Sequence, residues 1–380
     1  MRLRPGWLVA SGTALIATCY GLARFTYGLF SPDFAAEFAL TPVVSGLLGS
    51  GSYVGYCVAI VVATALTTRW GPRRVGLLAG ASATVGITMV ATAASPTMLA
   101  AGLIVAGSST GIASPPMAGA VARWVRSARK DQAQTLVNAG TGVGVLVSGP
   151  VAFALQGHWR VAWAVFAVVA AAVTVAVWRF VPAEDRAPRR HSPGPRSGRP
   201  FTGLPAGTRR LLLCSGLMGM GSIAVWTLGR EAIADQGGSP SLTGLVWTVI
   251  GAAGVVGALA GAGVHRLGIG RSWVLGMAAM AVASVVFAVL AAEPAAAIVA
   301  AALFGGAYIA LTGILLVWAT RLFPDRASYG VGISFLCIAA GQAVGSPLAG
   351  AGVEPLTLAG VFVACAAVTV VGALLRPRGV

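Results

Sequence analysis

Three charged residues, Arg24, Arg230 and Glu231, lie inside long apolar stretches from which charge is otherwise missing. A guanidinium in such surroundings needs an anion, a good acceptor or a wet cavity, because burying it alone is costly. Arg24 therefore has two readings: a bidentate grip on an anionic group of a ligand, or a structural ion pair that closes one end of the molecule. Arg230 and Glu231 are neighbours, so on a helix they point about 100° apart and need different partners. The expectation is that Glu231 faces a cavity near Arg24 and acts as a proton site coupled to a gate. Asp33, just past Pro32, is a second proton candidate of the same kind. The alternative is that Arg230 and Glu231 reach a headgroup layer and only mark its boundary.

Around Arg24 the uncharged polar residues give a candidate substrate-binding set of Tyr27, Tyr53, Tyr56, Asn138, Trp226, Tyr308 and Gln342. Tyr53 and Tyr56 are three apart and share a helix face. Each of these residues taken alone is more often an interhelical hydrogen bond or packing than a ligand contact. The histidines, His158, His191 and His265, fall in loops, so there is no clustered acid, base or nucleophile, and neither enzyme activity, metal nor cofactor is expected. No Gly-x-x-x-x-Gly-Lys-Ser/Thr phosphate loop is present, which points away from nucleotide hydrolysis as a power source and toward an ion gradient, with protons as the expected ion. Cys19, Cys57, Cys214, Cys337 and Cys365 have no metal spacing and read as small hydrophobes.

The elements that hold these residues follow from composition. Hydrophobic residues make up 57% of the 380, charged residues only 9% and the mean hydropathy is +0.85; a soluble domain carries about 25% charged residues. A bilayer core about 30 Å thick needs about 20 apolar residues per helix, since each backbone group must be hydrogen-bonded within its segment. Twelve such spans are predicted: 7–30, 43–67, 75–94, 98–122, 134–155, 161–178, 211–233, 242–264, 273–291, 296–319, 329–350 and 356–375. The first is longer than a secretory signal's apolar region and is expected to stay in the protein.

Of the 26 basic residues, 23 fall on the side that carries both termini, Arg160 lies alone on the other, and two are embedded. The positive-inside rule then predicts cytoplasmic termini in a plasma (inner) membrane. A formal charge of +16 spread over every inner loop suits anionic headgroups, and no nucleic-acid partner is expected. The bilayer and a small-molecule substrate are the expected partners, and a monomer suffices.

Residues 179–210 hold six prolines and eight arginines and read as a solvated linker between two six-helix halves, 1–178 and 211–380. The halves repeat. A shift of 197 residues overlays Arg69 on Arg266, Gly71 on Gly268, Gly144 on Gly341 and Pro150 on Pro347.

With these features the chain resembles the major facilitator superfamily of secondary transporters, whose two repeated halves rock about a central site. The family's loop signature, Gly-x-x-x-Asp-Arg-x-Gly-x-Arg-Arg, is kept in part by Arg69, Gly71, Arg73 and Arg74, and again by Gly261, Arg266, Gly268 and Arg271. Thr68 and His265 stand where the family has aspartate, so the charge latch that the resemblance implies for Arg69, Arg73, Arg266 and Arg271 lacks its acid. Gly21 to Tyr27, Gly46 to Ser50 and Tyr53 to Tyr56 look like the YbfB/YjiJ-type branch. Gly140 to Gly144 with Gly149-Pro150 is similar to the exporter motif of the superfamily, while the fourth-helix arginine of drug exporters has no counterpart in Leu103 to Gly107.

The expectation is an all-α membrane protein, a secondary transporter moving a small organic anion or zwitterion by alternating access with protons. An exporter of apolar or cationic compounds is the alternative, ahead of a membrane receptor or enzyme.

Overall fold

The computed structural model describes residues 5–126, 129–183, 204–259, 267–323 and 327–377. Every regular element among them is helical. Helix α1 has three continuous pieces: α-helix at Pro5–Ile16, a π-helical stretch at Ala17–Phe25 and α-helix at Thr26–Phe38. Then come α2 (Pro42–Trp70), α3 (Pro72–Ala91), α4 (Pro96–Trp124), α5 (Lys130–Ala154) and α6 (Trp159–Phe180). In the second half α7 is split at Ser222 into Thr208–Gly221 and Ile223–Asp235, followed by α8 (Pro240–Leu259), α9 (Ile269–Leu290) and α10 (Pro294–Leu322).

The last helical run, Ala327–Leu374, is 48 residues long. At 1.5 Å per residue it would extend roughly 70 Å, more than twice a hydrocarbon core. It breaks at Thr357, whose φ of 66° no helix accommodates, so residues 327–356 are α11 and 358–374 are α12. The bundle has twelve crossings in two repeated six-helix halves, as expected, but α11 and α12 are joined by a single left-handed residue where a short loop was expected.

Helix starts are written locally. Thr41 accepts a hydrogen bond from the Val44 amide with Pro42 in the first turn, and Ser95 accepts from Met98 with Pro96 behind it. Ser239 accepts from the Leu242 amide ahead of α8 in the same way. A side-chain acceptor followed by proline satisfies one orphan amide and removes another. Between α2 and α3 the chain turns at Gly71 (φ 81°, ψ 161°), and Gly268 before α9 has nearly the same backbone (φ 76°, ψ 156°). The 197-residue repeat thus recurs in backbone dihedrals.

Pro115 and Pro116 lie inside α4, and one helix runs through them. A membrane helix packed among neighbours tolerates the lost donors, and the adjacent Ser114 side chain shares a 2.7 Å hydrogen bond with the Tyr20 hydroxyl of α1.

The halves meet through α1 with α7, α2 with α11 and α5 with α8. Lipid gives helices no hydrophobic reason to associate, so close packing of small residues has to do it. A side chain at Gly21 would overlap the backbone of Gly144, and one at Gly28 would overlap the Trp226 carbonyl. These contacts bring the α1 pieces against α5 and α7.

Candidate functional site

Arg24 sits near the end of the π-helical stretch of α1 and is only 5% exposed. The π-helical turns are extended by Thr26, whose hydroxyl donates to the Gly21 carbonyl five residues back. Irregular turns of this kind concentrate at functional sites.

Four aromatic rings surround the guanidinium. Its Cζ lies 4.6 Å from the Tyr53 ring centre, 4.9 Å from those of Phe25 and Tyr56, and 5.9 Å from that of Tyr20. Each ring face attracts a cation by about 0.5–2 kcal/mol, against an insertion cost for a mid-membrane arginine of about 2.5–3.5 kcal/mol. The rings therefore offset part of the cost of burying the charge without an acid. No carboxylate pairs with Arg24 among the described residues.

Its hydrogen-bond partner comes from the other half. Arg24 Nη2 donates to Gln342 Oε1 on α11. The Gln342 amide nitrogen in turn donates to Tyr308 Oη on α10 at 3.2 Å and to Ser222 Oγ, at the α7 break, at 3.4 Å. Among the described residues Arg24 Nε has no hydrogen-bond partner although it is buried, and the same holds for the indole nitrogen of Trp226. Trp226 stacks on Phe25 with ring centres 4.0 Å apart and meets Tyr308 and Phe304 edge-on at 5.3 and 5.2 Å. The result is a buried, cation-bearing aromatic cluster with two donors that have no partner among the described residues. Chemically it suits an anionic group attached to a planar or apolar body.

Six of the predicted residues converge here: Arg24, Tyr53, Tyr56, Trp226, Tyr308 and Gln342. Two do not. Tyr27 donates to the Ser45 carbonyl at 2.7 Å and ties α1 to α2. Asn138 bonds to Gln134 one turn away on α5. Sequence reasoning missed Tyr20, Phe25, Ser222 and Phe304. Tyr20 and Phe25 were within reach, being four residues before and one after Arg24; Ser222 and Phe304 had no signal.

A second cluster lies between α1 and α7, toward the side opposite the linker, hereafter the far side. Arg230 pairs with Asp33 and also donates to the Leu29 carbonyl at 2.6 Å. Ser31 donates to the Thr227 carbonyl at 3.3 Å. The expected pairing of Glu231 with Arg24 is not formed. Arg24 is taken by Gln342, while half-buried Glu231 has neither hydrogen bond nor ion pair among the described residues and lies in the fields of Arg230 and Tyr27. Asp33, the weaker candidate, is the one engaged.

On the linker side Arg69 and Arg271 are exposed, and half-buried Arg73 lies 5.8 Å from the Trp178 ring centre. Arg266 lies outside the described residues, as do Gly261, His265 and residues 184–203 of the linker.

Twelve crossings among the described residues, two repeated halves and a buried polar cluster at their seam are the architecture of a multi-pass membrane transporter. The chain belongs to the Major Facilitator Superfamily, whose family model matches residues 13–328. That match reaches the superfamily and not the narrower branch.

Among relatives, the transcription regulatory protein OpdE of Pseudomonas aeruginosa is 26% identical over 96% of this chain and 92% of its own length. Monocarboxylate transporter 11 of Mus musculus is 32% identical over 147 residues, which is 38% of this chain and 32% of that protein. The chain thus matches about a third of the mouse protein. In fold it is similar to crystal structures of the nucleoside transporter NupG (TM-score 0.73, 13% identity, 97% and 98% coverage) and of a bacterial homolog of the human lysosomal transporter Spinster (TM-score 0.75, 13% identity, 98% and 96%).

Proposed function

We propose that this protein is a secondary transporter for a small organic monoanion, bound at Arg24 and moved by alternating access of the two halves. The observation that carries the reading is a buried guanidinium with no acid partner, an idle Nε and four rings around it. An anion brought to Arg24 neutralises a buried charge that has no acid partner among the described residues, whereas a cation would add to it, which counts against the exporter of cationic compounds. The 147-residue similarity to a protein named as a monocarboxylate transporter supports the same class.

In this reading, protons couple through the far-side cluster. Asp33 holds Arg230 while the far side is closed, and half-buried Glu231, without a partner of its own among the described residues, is a second carboxylate that can take up a proton when the cluster opens. The halves 1–178 and 211–380 rock about residues 179–210, with both termini in the cytoplasm of a cell whose plasma membrane holds the protein as a monomer. The basic residues Arg69, Arg73, Arg266 and Arg271 serve on the linker side as headgroup contacts and gate residues.

Vesicles reconstituted with the purified protein test this. The expected result is saturable uptake of a monocarboxylate such as lactate or benzoate, driven by an inward proton gradient and lost in Arg24→Ala. Uptake of none of a broad carboxylate panel, beside gradient-driven movement of lipophilic cations, would overturn it. The name of the Pseudomonas relative supports a second reading, in which occupancy of the same site is sensed; ligand binding with no flux across a sealed bilayer would favour that one.

A further inference from the structure

We infer that Gln342 is a built-in stand-in for the substrate's carboxylate, which lets the empty carrier close around Arg24. This rests on the reading of Arg24 as the anion site and adds the residue that competes for it.

The argument starts from charge. A guanidinium presents five N–H donors and cannot lose its proton. Closing the halves over a bare Arg24 would leave it desolvated, with only the rings to compensate. Gln342 supplies a neutral carbonyl oxygen at one edge of the guanidinium. It is aimed there by two bonds within its own half, to Tyr308 and Ser222, and it is fully buried. A guanidinium only donates, so the amide oxygen must face Arg24, and the nitrogen is then turned to the Tyr308 and Ser222 hydroxyls, which can accept from it.

The bond crosses the seam between α1 and α11, so it forms only when the halves come together. A substrate carboxylate that takes a bidentate grip including Nη2 displaces Gln342 Oε1, because both acceptors need the same donor. Loaded and empty closure are therefore alternatives at one guanidinium. Removal of the stand-in should leave exchange of bound substrate intact, while net flux, which needs the empty carrier to close, should fail.

The test reads closure directly and needs no transported substrate. Spin labels go on Thr97 and Ala295, exposed residues at the far-side starts of α4 and α10, one in each half, in a protein whose five cysteines are replaced. Distance distributions are recorded in nanodiscs without ligand, with benzoate, and with neutral benzamide. Gln342→Met keeps volume and removes the acceptor. Losing a hydrogen bond to a buried charge corresponds to roughly a tenfold or greater fall in the ratio of closed to open far side. Benzoate should restore the closed population in Gln342→Met and benzamide should not; Gln342→Glu should stay closed whatever is added.

An unchanged distribution in ligand-free Gln342→Met overturns the inference. So does an opening that benzoate fails to reverse, since the bond would then be merely structural. The anion reading itself fails separately, if benzoate and other carboxylates raise the thermal stability of the wild type no more than that of Arg24→Ala, whatever the distances do.

Discussion

At the 197-residue offset, Arg24 of α1 corresponds to Gly221 of α7, and Gln342 of α11 corresponds to Val145 of α5. The scaffold around these positions is nearly the same in both halves. Gly144 packs its backbone against Ala17 and Gly21 of α1, Gly341 packs against Gly216 and Met220 of α7, and both first helices of the halves become irregular at mid-length, ending the π-helical stretch at Phe25 and breaking at Ser222. The chemistry differs: one half supplies the cation and the other its acceptor. The far-side cluster is the opposite case, because Asp33 and Arg230 are themselves 197 residues apart and meet as equivalent positions with opposite charge. The comparison teaches that a duplicated fold builds its site where the copies have diverged and its gate where equivalent positions touch.

The sharpest way to break this comparison is steric. Gly28 has no room for a side chain against the Trp226 carbonyl, so Gly28→Leu should prevent α1 and α7 from meeting. Overpacking costs about 1–3 kcal/mol where a neighbour can yield, and backbone yields poorly. The expected outcome is a far side held open, read as fast modification of cysteines placed at Thr227 or Ser31 by a membrane-impermeant thiol reagent. Slow modification equal to that of the glycine parent would contradict it.

Charge reversal is the next largest effect. If Asp33 and Arg230 are equivalent positions that touch, Asp33→Arg and Arg230→Asp should each disable transport, and the double reversal should recover much of it, with a coupling of about 0.5–3 kcal/mol. Arg24→Ala and Glu231→Gln, which are not paired, should by contrast combine additively in binding. Strong coupling between those two would mean that another state brings them together.

The smallest effect sharpens the role of the rings. Tyr53→Phe keeps the ring face beneath Arg24 and should change carboxylate affinity little, whereas Tyr53→Leu should lose about 0.5–2 kcal/mol. Isothermal calorimetry with benzoate separates the two; an equal loss in both would place the hydroxyl, and not the ring, in the site.

Much of this was legible in the chain. Hydropathy locates the spans, the glycine and proline coincidences reveal the duplication, and helical spacing puts Tyr53 and Tyr56 on one face. What spacing cannot supply is the register between halves. Gln342 is 318 residues from Arg24, and whether Arg24 meets Gln342 or Glu231 depends on how α1, α7 and α11 slide and rotate against each other. The same limit hid the Asp33 partner of Arg230, although the repeat offset, applied to charges as well as glycines, would have found it. The join of α11 to α12 escaped because a threonine with positive φ carries no glycine signal.

The account stands on Arg24 as an anion-binding residue, and thermal unfolding of the purified protein against a ligand panel tests that most directly. A ligand that binds the folded state raises stability by mass action. The prediction is that monocarboxylates stabilise the wild type, that neutral amides of the same shape and lipophilic cations do not, and that Arg24→Ala abolishes the response; truncating a buried charged partner weakens binding on the order of 100-fold. Stabilisation by lipophilic cations, undiminished in Arg24→Ala, would contradict it.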